Sequence, residues 1–168
     1  MIEVENPFAT TAAPAQYTAP IEFVILGEPA SKANSREIGI LKFKDKETGD
    51  LKTRPTVRKS DKALAYEEAA LRQIPPRARV RIEGPVRVTL RIFYASERPD
   101  LDESVVLDVL QDRYAKDKVK DERVLVQRGV YRNDRQVREK HVYHGIDRKN
   151  PRCEVRIEPM QAQQEALL

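Results

Sequence analysis

PVRVTLRIFYASERPDLDES, residues 85–104, is the stretch on which the reading of this chain turns. In its first half Val86, Val88, Leu90, Ile92 and Tyr94 alternate with Arg87, Thr89 and Arg91. Successive side chains on a strand point to opposite faces, so the alternation predicts a strand with one apolar face and one polar, partly basic face. In its second half Asp100, Asp102 and Glu103 crowd together just as helical spacing begins. LDESVVLDVLQDRY, residues 101–114, is expected to form that helix.

Two readings of the acids stand side by side. Negative side chains suit a helix N-terminus, with Asp100 as cap and Glu103 completing a capping box. On a helix beginning at Leu101, however, Asp102, Val106 and Val109 share one stripe, while Asp108 lies on the outer face. Asp102 then points toward the sheet, and Asp100, at the strand end, can aim into the same crevice. Two carboxylates ~5 Å apart repel by about 3 kcal/mol at an effective dielectric near 20. A cation must offset that, and Mg²⁺ is a hard ion that takes carboxylate oxygens and keeps waters.

Outward from this stretch, IEFVIL (21–26) reads as a short strand closed by Gly27 and Pro29, followed by a loop carrying Lys32, Asn34 and Arg36. ILKFK (40–44) and LKTRPTV (51–57) flank the turn-rich DKETGD, which predicts a β-hairpin. SDKALAYEEAALRQI (60–74) predicts a helix capped by Ser60 or Asp61, with Ala63, Tyr66, Ala70 and Ile74 on one stripe and Pro75 and Pro76 as its stop. QVREKHVYH (136–144) and CEVRIEP (153–159) read as strands. Residues 115–126 are dense in charge and have no clear period. Irregular interleaving of strands and helices predicts one α+β (mixed α/β) domain, a mixed sheet packed by two main helices, over residues 21–159. Residues 1–20, rich in Ala, Thr and Pro, read as a flexible arm, and 160–168 as a tail.

The 168 residues suit a single core, and the net charge of +4 favours a polyanionic partner only modestly. No apolar run approaches the ~20 residues that cross a bilayer. The N-terminus lacks the basic-then-apolar order of a secretory signal. A single cysteine, Cys153, fits a reducing compartment, so the cytoplasm is the expected address. His141, His144 and Cys153 fall short of a structural zinc set, and His141 and His144 face opposite sides of a strand. No GxxxxGK[ST] phosphate loop is present.

A third acid, Asp134, lies in GVYRNDRQV (129–137), on the approach to the strand at 136–144. An apolar strand running into D-L-D at a helix start, then G-x-aromatic-x-[ND]-D-x-Q-V leading into a strand, resembles the RusA-type Holliday junction resolvases. The resemblance spans residues 21–159, including Gly27-x-Pro29 with Ser31-Lys32 and the closing NPRCEVRIEP (150–159). It implies a homodimeric, Mg²⁺-dependent endodeoxyribonuclease (Mn²⁺ substituting) that nicks four-way DNA junctions symmetrically in recombination and repair. It places the essential aspartates at Asp100, Asp102 and Asp134. The chain departs from the family pattern at Glu103, where Asn is usual, and at Val106, where a lysine is usual; the link between helix and Gly129 is also longer. Lys32, Lys140 or His144 are the candidates for the cation beside the scissile phosphate, and Lys32 and Arg36 for other phosphate contacts. The rival readings are a non-catalytic basic DNA-binding module and a broader branched-DNA or flap endonuclease.

Overall fold

The computed structural model describes residues 18–31, 34–117 and 122–160. The arm over 1–20 therefore falls almost entirely outside the described residues, as do Lys32 and nearly all of the tail. The fold is a single-domain α+β arrangement. Its strands are β1 (Ile21–Leu26), β2 (Arg36–Lys44), β3 (Leu51–Lys59), β4 (Val86–Tyr94), β5 (Arg113–Lys116), β6 (Arg123–Gln127), β7 (Val137–Ile146) and β8 (Arg152–Pro159). Its α-helices are α1 (Asp61–Gln73) and α2 (Ser104–Leu110).

The central sheet runs β1-β8-β4-β7. β8 is antiparallel to both β1 and β4, whereas β7 runs parallel to β4 with Val86 opposite Val137 and Tyr94 opposite Ile146. The alternation along β4 is obeyed throughout: its five apolar residues at even positions are fully buried, and Arg87, Thr89 and Arg91 face away from the core. β1 and β8 add Ile21, Phe23, Ile25, Cys153, Val155 and Ile157 to the same face. Helices α1 and α2 cover it with Ala63, Tyr66, Ala70, Val105, Val106, Val109 and Leu110. Among the described residues the other face of the sheet carries no helix.

Ser60 caps α1, its side chain accepting from Ala63 N at 3.2 Å, as the sequence predicts. The predicted second helix is shorter than 101–114, with a physical cause at each end. Before it, Asp102 Oδ1 accepts from Ser104 N at 2.9 Å, a local turn that uses a carboxylate to hold the chain outside the helix. Asp100 does not cap it, and its cap residue Glu103 makes no side-chain cap bond. After it, Gln111 turns extended and bridges Tyr131, which ends the helical run. The charge-dense link becomes the antiparallel hairpin β5–β6. Among the described residues no helix is long and apolar enough to cross a membrane.

Candidate functional site

Tyr94, the last residue of β4, organises the acids. Its ring is buried, and its hydroxyl donates to Asp100 O at 3.3 Å and accepts from Asp102 N at 3.2 Å. One phenol thereby holds both arms of the D-L-D turn. Burial pushes the Tyr94 phenol above its ordinary value; the hydrogen bond from Asp102 N opposes this, and the Asp102 and Glu28 charges add to it. His144, from the neighbouring strand β7, stacks on the Tyr94 ring with centroids 5.3 Å apart and remains exposed.

Asp102 is only 7% exposed. Three carboxylates are buried among the described residues: Glu67, Asp102 and Asp112. Glu67 is held by Lys59 at 2.8 Å and by Arg113, and Asp112 by Arg81 at 2.8 Å. Asp102 has no cationic partner among the described residues. The other two follow the usual rule that buried charges are paired, whereas Asp102 keeps one carboxylate oxygen without a protein partner among the described residues. Asp100, two residues away and exposed, has a carboxylate with no hydrogen bond among the described residues. This donor set, one buried acid lacking a cation and one open acid beside it, suits a hard divalent ion, which commonly takes one or two carboxylates and fills its remaining positions with water and phosphate.

Asp134 is placed by a different element, the turn that leads into β7. Because β7 is parallel to β4, the approach to β7 lies at the start of β4, whereas Asp100 and Asp102 follow its end. Helix α2 leads back from the acids toward Tyr131, a run of about 10 Å at ~1.5 Å per residue. Asp134 is exposed at the first position of a 3-10 turn, Asp134–Gln136, with no side-chain partner. Among the described residues no three His, Cys, Asp or Glu side chains form a group able to hold a metal.

Much of the motif around Asp134 is structural. A Cβ on Gly129 would sit 2.3 Å from Gln111 C and 2.6 Å from Leu110 O, so only glycine fits against the end of α2. Tyr131 is buried, and its hydroxyl donates to Leu107 O at 3.0 Å. Asn133 and Gln136 form a reciprocal capping box. Gln136 Nε2 also donates to Ile82 O and Gly84 O, tying the turn to the segment before β4.

The basic candidates divide as clearly. Lys140 is spent on Glu103, which it meets in an ion pair. Arg36 is exposed on β2 and makes no ion pair among the described residues. His144 stands at the same strand end as Asp100 and Asp102, as its pairing opposite Ile92 dictates. His141 is on the other sheet face beside Glu139, and burial pushes the Cys153 thiol up to about 12, so neither completes a zinc set with His144.

One neighbour escaped the sequence reading. Glu28, in the loop after β1, accepts from Ala95 N at 2.8 Å and meets Lys62 at 3.3 Å, which braces the end of β4 just before the acids. The contact spans 67 residues, so no local pattern announces it. A groove of about 480 Å³ lined by Glu22, Thr89, Arg91, Glu154 and Arg156 lies on the helix-free sheet face, away from the acids. No protein-family model and no curated protein matches the chain.

Proposed function

We propose that the chain is a Mg²⁺-dependent, structure-selective endodeoxyribonuclease acting on branched DNA, four-way junctions above all, in recombination and repair. The observation that carries this reading is Asp102: a buried residue whose carboxylate has no cationic partner among the described residues, fixed by Tyr94 next to the open carboxylate of Asp100. The resemblance of D-L-D and its strand–helix setting to the RusA-type resolvases supplies the choice of substrate.

In this reading Asp100 and Asp102 hold the metal, and Mn²⁺ substitutes for it. When bound, the divalent ion supplies Lewis acidity toward a phosphoryl oxygen and makes a water a better nucleophile at neutral pH. Tyr94 keeps both acids in register, which spares reorganisation when substrate arrives. His144, stacked on Tyr94 and open to solvent, is placed to hold a phosphate oxygen or to move a proton at the same end of the sheet. Arg36, which makes no ion pair among the described residues, is offered to the backbone of the DNA. Symmetric nicking of a junction needs two such sites at fixed spacing, so the active species is proposed to be a homodimer. A cytoplasmic setting belongs to the same proposal.

The test is a panel of synthetic four-way junction, flap and linear duplex, incubated at one salt concentration with Mg²⁺ or Mn²⁺. The wild-type chain should cut the junction in preference to duplex. Asp102→Asn should reduce cutting by at least about 100-fold while DNA binding persists, since it removes a ligand and a negative charge together. A wild-type chain that binds junctions yet never cuts any branched DNA with either ion contradicts the reading.

A further inference from the structure

We infer that the β2–β3 ribbon is a duplex-binding arm, one face of which lies in the major groove of a DNA arm next to the cleavage site. The inference rests on the proposed reading of DNA as substrate, and extends it from Arg36 to the whole face of the ribbon. The ribbon pairs only with itself, from Arg36 opposite Lys59 to Lys44 opposite Leu51, and has no extensive packing on any other element. An isolated two-stranded ribbon is marginal in water unless something covers a face.

Its two faces differ. On one, most cations have partners: Arg58 pairs with Glu37, Lys52 pairs with Asp45, and Arg54 lies over the Phe43 ring at 5.8 Å. On the other, Arg36, Lys42 and Lys44 make no ion pair among the described residues, and between them Ile38 and Ile40 are 80% and 73% exposed. Cations without partners flanking bare aliphatic side chains suit phosphates on the outside of a groove with sugars and thymine methyls within it. The major groove, about 12 Å wide, admits a two-stranded ribbon. Nine residues at ~3.3 Å each give nearly 30 Å, close to the roughly 34–36 Å of one duplex turn.

A second copy of the chain is the poorer occupant. Face-to-face ribbons would set Lys42 and Lys44 against cations of the same face, at about 3 kcal/mol for each like-charge pair ~5 Å apart. The acids of the tip, Asp45, Glu47 and Asp50, confine the contact to the face and keep the tip off the phosphates. At its base Lys59 bonds to Glu67 on α1 and to Asp108 on α2, which fixes the ribbon to the helix that follows the acids.

The test is the salt dependence of binding, read by fluorescence anisotropy on junction and linear duplex. Substituting Gln at Arg36, Lys42 and Lys44 together should lower the slope of log K against log salt by about three and weaken binding at least about tenfold. Ile38→Ser with Ile40→Ser should weaken binding and leave the slope unchanged. The ribbon assignment is overturned if the triple variant keeps wild-type slope and affinity. It is overturned equally if the isoleucine variant splits a dimer in sedimentation without touching DNA affinity. Cleavage measured alongside separates the two proposals. Ribbon-dependent binding by a chain that never cuts removes the nuclease reading alone, and cutting by a chain indifferent to the triple substitution removes the ribbon alone.

Discussion

Asp102 carries more of the chemistry than any other side chain described. Its Oδ1 is engaged by Ser104 N, its backbone by Tyr94, and its charge by nothing in the protein. Asparagine keeps the acceptor and removes the charge. Asp102→Asn should therefore melt higher than wild type in EDTA, by a few degrees, in a thermal scan. Mg²⁺ should raise the wild-type melting temperature, with ~2.7 kcal/mol gained at 100 times Kd, and leave Asp102→Asn unmoved. Equal responses of the two proteins to Mg²⁺ would separate Asp102 from any metal. At this scale the sequence reading placed Asp102 on a helical stripe with Val106 and Val109; the residue is buried, but in the turn before α2 and not on that stripe. The sequence was uninformative about Tyr94, which reads as one more apolar residue of β4 until its hydroxyl is seen bridging residues 100 and 102.

Among the elements, β4 and α1 were legible because their signals are local: strict alternation in one, a serine cap and a proline stop in the other. Both ends of α2 were misread, the first because Asp102 turns the chain before the helix and the second because of the close approach of the distant Gly129. A methyl at that position must displace backbone, so Gly129→Ala should cost about 3 kcal/mol in chemical denaturation. A change under ~0.5 kcal/mol would mean that this approach is looser than the structure has it. Glu67 joins α1 to β3 through Lys59 and to β5 through Arg113, while Asp108 of α2 shares the same lysine. Burial raises the Glu67 carboxyl, but the hydrogen bonds from Lys59 and Arg113 outweigh it and hold the group below its ordinary 4.5. A lowered native value means stability that is present above 4.5 and lost as pH falls through the native value. Glu67→Gln should accordingly cost about 1–3 kcal/mol at pH 7, and its stability should converge with that of wild type in acid, as urea titrations across pH would read. A gap that stays constant down to pH 2 would show that the ion pairs contribute nothing.

For the whole molecule, topology is what the sequence withholds. A strand at 136–144 is evident from composition, but its direction relative to β4 is not, and that direction decides where Asp134 lies. Parallel pairing puts the approach to β7 beside the start of β4, and the motif around residue 134 is accounted for by Gly129, Tyr131 and the Asn133–Gln136 box. The helix-covered face of the sheet thus offers two acids, a histidine and a brace from Glu28 at one end, with a basic ribbon tied to the neighbouring helix. The most direct measurement is Mn²⁺ binding by electron paramagnetic resonance in the wild-type chain and in Asp100→Asn, Asp102→Asn and Asp134→Asn. The account predicts binding by wild type, loss of about tenfold or more in affinity for the first two variants, and Asp134→Asn within about twofold of wild type. A wild-type chain that binds no Mn²⁺ at millimolar concentration, or an Asp134→Asn variant as impaired as Asp102→Asn, would contradict it.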